Sequence, residues 1–264
     1  MSFITIGEYK KPKNAKEAYD LLTSKKNSLL IGGGTYIHLG SRHVSLAIDL
    51  SDADMEYIRE TDTTIEIGAM TTFREIETNQ ILSKYFDNLL SHSVKNIIGV
   101  QFRNMVTVGA TVFSKYGFSD FITALRVLDT KVVLYNAGEM TIDEFIDSGR
   151  KKDLLEKIII KKENLRASFQ MMRNSMADYA ILNAAVSKGD TGFKIVVGAR
   201  PGIAVFANKA MEYINSNEIS EETVSKASQI ASEELAFGTN GLGSKEYRTH
   251  LASALVKSAL LEVI

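Results

Sequence analysis

The chain contains no cysteine, and only two prolines in 264 residues. Disulfides, thiolate nucleophiles, zinc–thiolate sites and protein-ligated iron–sulfur clusters all need cysteine sulfur, so any redox chemistry here falls to an organic cofactor. The scarcity of proline, with no repeat or low-complexity tract, argues against a floppy connector between domains. No sign of charge dominates either: Lys and Arg number 31 against 32 Asp and Glu, a formal charge of −1. That balance lacks the basic field that nucleic acid or an anionic membrane surface would require. No apolar run approaches the roughly 20 residues that span a bilayer, and no segment has the order of a signal peptide. The expected location is cytoplasmic.

Catalytic signatures are equally scarce. His38, His43, His92 and His250 have neither metal-ligand spacing nor a partner at fixed offset, so solvated or capping roles are expected for each. No nucleophile elbow or Ser-x-x-Lys frame appears in a setting that would activate it. The sequence therefore predicts no metal site and no hydrolase.

What is present is enough apolar residue, 45% of the chain, to build more than one compact unit. Two loops stand out, Gly32-Gly33-Gly34-Thr35 and Thr107-Val108-Gly109-Ala110-Thr111, each after an apolar run. Glycine permits positive φ and close approach, so successive N–H groups can converge on a phosphate. The first loop lacks the G-x-G-x-x-G spacing of a Rossmann site, and neither has the Gly-Lys-Ser/Thr ending of a P-loop. A nucleotide site of another architecture and ordinary turns both remain open on these residues alone.

Around the loops the pattern alternates between periods. Asn14 with Glu17 resembles a capping box opening a helix of about ten residues. Ser28 to Ile31, Leu46 to Leu50, Thr64 to Gly68 and Lys131 to Tyr135 have strand lengths. Thr72 with Glu75 offers a second N-cap, Leu82 to Ile98 reads as a helical stretch, and Ser119-Asp120 caps a helix carrying Phe121, Leu125 and Leu128. Charged residues from Arg150 to Glu163 flank Ile158-Ile159-Ile160, and the domain boundary is placed there, giving domains 1–160 and 161–264. Leu165 to Arg173, Ala180 to Ser187 and Phe193 to Ala199 predict a three-stranded antiparallel sheet, followed by helices. Tyr247, Leu251, Ala254 and Leu255 form an apolar stripe suited to packing on that sheet.

Asp120 can accept hydrogen bonds from sugar or ribityl hydroxyls, or serve as a plain N-cap. Met171, Met172 and Met176 can line a flavin face, with core filling the favoured reading. Tyr36 and Phe113, each beside a loop, can stack on a ring or simply pack.

The ordered set Ile31-Gly32-Gly33-Gly34-Thr35, Ile67 to Thr72, Gln101 to Gly109 and Ser119-Asp120 resembles the FAD-binding subunit of the molybdenum hydroxylases, the xanthine and carbon monoxide dehydrogenase family. The likeness continues through Ala177 to Ala180 and Val197 to Pro201 to Gly243 to Arg248, and so covers nearly the whole chain. It implies an α+β fold: a vanillyl-alcohol-oxidase type FAD-binding domain, then a C-terminal domain of a three-stranded antiparallel sheet with helices. It implies FAD as cofactor, its diphosphate between the two loops, with contacts from Ile31, Gly32, Gly33, Gly34, Thr35, Tyr36, Thr107, Gly109, Ala110, Thr111, Ser114 and Asp120. Asp120 would hold a ribityl or ribose hydroxyl, and Ser114 occupies a position that commonly faces the flavin.

The chain departs from the family pattern at Ala110, where a second glycine is usual, at Thr111, at Tyr36 and over Lys115-Tyr116-Gly117. Alanine at 110 requires negative φ there, or the absorption of a cost of about 1 kcal/mol. The implied function is electron transfer: a molybdenum-cofactor subunit hydroxylates a substrate, an iron–sulfur subunit relays electrons, and FAD passes them to NAD⁺ or another acceptor. The alternative from another class is an assembly subunit of the same complex that has lost FAD.

Overall fold

The computed structural model describes residues 4–37, 43–149 and 152–264. His38 lies outside the described residues, as do Arg150 and Lys151 of the charged stretch. The chain forms two compact units, each drawn from three stretches: 1–75, 100–114 and 130–161 in the first, 76–99, 115–129 and 162–264 in the second.

In the first unit, strands Thr5–Lys10 and Ser28–Ile31 both lie parallel to His43–Asp49, which is the middle strand of a three-stranded sheet. The helix Ala15–Ser24 carries the chain from one outer strand to the other so that both run in the same direction, burying Ala18 and Leu22. Asn14 caps that helix by accepting from the Glu17 N–H at 2.9 Å, while the Glu17 carboxylate accepts from the Lys13 N–H at 2.8 Å. The second sheet of this unit has five antiparallel strands in the order Ile58–Glu60, Thr64–Gly68, Leu155–Lys161, Thr130–Leu134, Gly138–Thr141. The isoleucine run therefore lies in the central strand. Ile158 and Ile160 are fully buried, and Lys157 on the alternate face pairs with Glu66 at 2.9 Å.

The second unit carries the sheet Val205–Phe206, Gly192–Gly198, Leu182–Gly189, Arg166–Met172, antiparallel throughout. The three expected strands gain a fourth of two residues, too short to leave a periodic signal. Helices Asn208–Ser216, Glu221–Glu234 and Lys245–Val263 complete a core in which Val186, Ile195 and Val197 join Leu251, Leu255 and Val256. The stripe of the last helix is rotated from the expected one. Arg248, Ala252, Val256, Ala259 and Leu260 are buried with Leu251 and Leu255, whereas Tyr247 and Ala254 are exposed.

The stretch Leu82 to Ile98 is not one helix. Phe86, Asp87 and Asn88 all have positive φ (57, 50 and 61°), which ends the first turns before the helix Leu89–Val94 begins. Asp87 there accepts a hydrogen bond from the Ala167 N–H at 3.1 Å. Among the described residues no helix is long and apolar enough to cross a membrane.

Candidate cofactor site

In the first unit, strand Ser28–Ile31 ends with Ile31 paired to Asp49 and delivers the chain into the triple glycine. Gly34 takes φ +74° and its carbonyl accepts from the Ile37 N–H at 3.3 Å, so the chain bends sharply. A Cβ on Gly33 would fall 1.2 Å from the Met105 carbonyl oxygen. One on Gly32 would fall 2.6 Å from Thr107 Oγ1 and 3.2 Å from the Ala110 methyl. The two loops thus lie directly against each other, with backbone where side chains would otherwise stand. Neither Gly33, Gly34 nor Thr35 donates its main-chain N–H to another described residue. All three are half-buried, and none of their N–H groups has an acceptor among the described residues.

The second loop is built differently. Thr107 bridges to Thr72, with Phe73 N–H donating to the Val106 carbonyl and Val108 N–H to the Thr71 carbonyl, both at 2.9 Å. Gly109 donates to the Ala69 carbonyl at 2.7 Å, Thr111 to the Thr107 carbonyl at 3.1 Å, and Ala110 to Thr107 Oγ1 at 3.4 Å. These amides are engaged within the fold, and the segment is the first turn of the helix Val108–Ser114. Gly109 is glycine because a Cβ would meet the Ala69 methyl at 2.6 Å and its carbonyl at 2.8 Å. Ala110 is helical and has no positive φ, so alanine is accommodated without strain. Ser114, at the end of the helix, and Tyr36 are half-buried, and Phe113 packs on the Phe145 ring with centroids 6.0 Å apart.

This construction fits a diphosphate. Consecutive amides at a glycine bend, here without an acceptor among the described residues, can form an anion cradle, and the close packing of Gly33 on Met105 leaves no room for a side chain at position 33. The donor set is neutral and main-chain, so it positions an anion without offering acid or base chemistry.

Asp120 lies in the second unit. Ser119, not Asp120, caps the helix Asp120–Arg126, accepting from the Ile122 N–H at 3.2 Å. The Asp120 carboxylate is buried, ion-paired with Arg173 through one oxygen and accepting from Asn183 Nδ2 at 2.5 Å through the other. Burial pushes its pKa up to about 6, against the pull of the Arg173 charge and the Asn183 amide. Asn183 and Arg173 carry no local sequence signal. The requirement that a buried carboxylate be paired was the available clue, and it does not say by whom.

The methionines do not form one cluster: Met171 Sδ accepts from Arg173 Nε at 3.1 Å, whereas Met176 is 87% exposed and fills no core. His43 and His250 are exposed, and burial lowers the pKa of half-buried His92. No group of three or more His, Asp or Glu among the described residues is placed to hold a metal.

Residues 4–163 match the family model described as the FAD binding domain in molybdopterin dehydrogenase, and residues 167–263 match the CO dehydrogenase flavoprotein C-terminal domain. Among curated proteins, the nicotine 6-hydroxylase medium subunit of Paenarthrobacter nicotinovorans is 22% identical over 96% of both chains. The nicotinate dehydrogenase FAD-subunit of Eubacterium barkeri is 30% identical over 53% of this chain and 50% of its own. Among solved structures, carbon monoxide dehydrogenase from Hydrogenophaga pseudoflava superposes with a TM-score of 0.90 at 22% identity, over 100% of this chain and 98% of that one. The α+β architecture expected from the sequence is thus the observed one. With both family models covering nearly its whole length, the chain belongs to the FAD-binding subunits of the molybdopterin dehydrogenases of xanthine and carbon monoxide dehydrogenase type, an oxidoreductase flavoprotein with FAD as its cofactor.

Proposed function

We propose that the chain is the electron-transfer subunit of a xanthine dehydrogenase-like molybdenum hydroxylase, taking electrons from partner iron–sulfur clusters and delivering them to NAD⁺ or another acceptor. The observation that carries this reading is the Gly33 bend: three successive amides with no acceptor among the described residues, beside a Met105 carbonyl that leaves no room for a side chain at position 33. The main-chain N–H groups of Gly33, Gly34 and Thr35 hold the diphosphate. Thr107 and Ala110 back the loop through Gly32, and Gly109 fixes that backing to Ala69. FAD bound there supplies reversible one- and two-electron redox chemistry, which no side chain of this protein offers. With no cysteine in the chain, no cluster is ligated here, so electrons arrive from a partner across an interface. The relatives named as medium and FAD subunits favour the same division of labour.

The alternative of a flavin-free assembly subunit rests on Ala110, Thr111 and Tyr36, and the helical φ of Ala110 removes the first of these. The test is reconstitution of the purified chain with FAD, followed by its absorption spectrum and by NADH-dependent reduction of a dye. Protein that takes up no flavin ends the proposal. Affinity capture of the chain from its native host, with partners identified by mass spectrometry, tests the assembly: a molybdenum subunit and an iron–sulfur subunit are the expected companions.

A further inference from the structure

In the first unit, the turn that follows strand Thr64–Gly68 carries the second loop. Gly68, Ala69, Met70 and Thr71 are all buried, and the turn closes with Thr71 N–H donating to the Gly68 carbonyl at 3.1 Å. The segment Met55 to Tyr57 wraps around it. Met70 N–H donates to the Met55 carbonyl at 2.8 Å and Gly68 N–H to the Tyr57 carbonyl at 2.9 Å, while Ala69 N–H donates to the Glu156 carbonyl at 2.9 Å. Glycine at 68 permits the wrap, because a Cβ there would stand 2.2 Å from the Met55 carbonyl oxygen.

A side chain joins the turn to its wrapping. The Thr71 hydroxyl donates to the Tyr57 carbonyl at 2.9 Å and accepts from the Tyr57 N–H at 3.2 Å, so its donor and an acceptor site are both spent on the main chain of one residue. Thr71 is fully buried, where water cannot stand in for a missing hydroxyl. The main chain of the same turn serves the loop: the Ala69 and Thr71 carbonyls accept from the Gly109 and Val108 N–H groups at 2.7 and 2.9 Å. Those two bonds set where the helix Val108–Ser114 begins. They thereby set the places of Thr107 and Ala110, whose side chains stand against Gly32.

We infer that Thr71 is a positioning residue of the cofactor site: its hydroxyl holds the turn whose carbonyls fix Val108 and Gly109, and through them the backing of the Gly32 to Thr35 bend. Being fully buried, the hydroxyl acts through the turn and not on a ligand. The inference rests on the flavin reading, and its test has one arm in FAD-free protein and one in reconstituted protein, so that the two can fail separately.

In the full-length chain, Thr71→Val keeps the shape and removes the hydroxyl, Thr71→Ser keeps the hydroxyl, and Val132→Ala, at a buried position in none of these segments, is the control for general loss of stability. In FAD-free protein, amide exchange over residues 106–110, read by mass spectrometry, is expected to rise in Thr71→Val above both wild type and control, and to return toward wild type in Thr71→Ser. In reconstituted protein, Thr71→Val is expected to bind FAD on the order of tenfold more weakly, with Thr71→Ser and Val132→Ala close to wild type by flavin fluorescence titration. Thr71→Cys, which keeps a weak donor, carries the test if Thr71→Val does not fold. Unchanged exchange in the hydroxyl-free variant overturns the inference, as does a loss of FAD affinity no larger than that of a control with the same drop in melting temperature. Raised exchange with unchanged FAD affinity overturns this inference alone, whereas a wild type that takes up no FAD overturns the flavin reading and this inference with it.

Discussion

The carbonyl oxygen of Met105 occupies the space that a side chain at position 33 would need, 1.2 Å from where a Cβ on Gly33 would stand. Gly33→Ala must therefore push the two loops apart, since the obstacle is backbone and cannot rotate away. Overpacking of this kind costs about 1–3 kcal/mol, and the displaced loop loses the convergence of its amides. The expected outcome is protein with a lowered melting temperature that binds FAD far more weakly, read by flavin absorbance after reconstitution. Gly149→Ala, where no described residue lies within 4 Å, is the control and is expected to change stability by less than about 0.5 kcal/mol.

Gly34 presents the opposite case. The space beside it is open, with Ile31 Cγ2 at 3.9 Å, but its φ is +74°. Substitutions there act through the backbone, so the ranking follows tolerance of left-handed conformation. Gly34→Asn is expected to keep most of the FAD affinity, Gly34→Ala to cost about 1 kcal/mol, and Gly34→Val to cost more. Titration with FAD by flavin fluorescence measures the order. Equal affinity in the asparagine and valine variants would show that the bend is not what presents the amides.

How far the site could be read in advance follows from the range of the interactions. The strand Ser28–Ile31, the cap at Asn14 and the Thr72–Glu75 pair are set by neighbours within four residues, and they appear as expected. The two loops were legible as glycine clusters, but the reasons for the glycines were not. Gly33 answers to Met105, and Gly109 to Ala69, both far away in sequence. That the Val108 amide of the second loop is engaged follows from the bridge of Thr107 to Thr72, a contact no local pattern encodes. The break at Phe86–Asn88 was hidden because three non-glycine residues adopt positive φ there. Arg173 was invisible for the same reason of distance: it meets Asp120 across 53 positions.

The raised Asp120 pKa has a definite sign for stability. Its folded value, about 6, lies above the unfolded value near 3.9, so the folded state binds the proton more tightly. The favourable contribution is complete below about pH 4 and is lost as pH rises through about 6, at up to roughly 1.4 kcal/mol per pH unit. Urea unfolding of the wild type and of Asp120→Asn between pH 4 and 8 isolates it. The stability of the wild type relative to the variant is expected to fall from pH 4 to 6 and then level off. A difference that rises over that window would mean that the Arg173 charge outweighs burial.

Arg248 is fully buried in the last helix. Nε donates to the Ile181 carbonyl at 2.9 Å, Nη1 to the Gly238 carbonyl at 2.7 Å and to the Gly243 carbonyl, and Nη2 to Asn240 Oδ1 at 2.6 Å. All four partners are neutral oxygens, so the guanidinium works as a fork that ties residues 238–243 to the start of strand Leu182–Gly189. Burial lowers its pKa, yet the ordinary value is high enough for the charge to persist. Arg248→Lys keeps a charge and loses the fork, leaving at least one of these oxygens without a donor. Each buried group left unsatisfied costs about 1–3 kcal/mol, and a loss of 1 kcal/mol lowers the melting temperature of a protein this size by about 2–4 °C. The expected result is a melting temperature lowered by roughly 2–12 °C, with residues 238–243 cleaved more readily by protease. A lysine variant as stable as the wild type would mean that water satisfies those carbonyls, and that the arginine is held there by something other than stability.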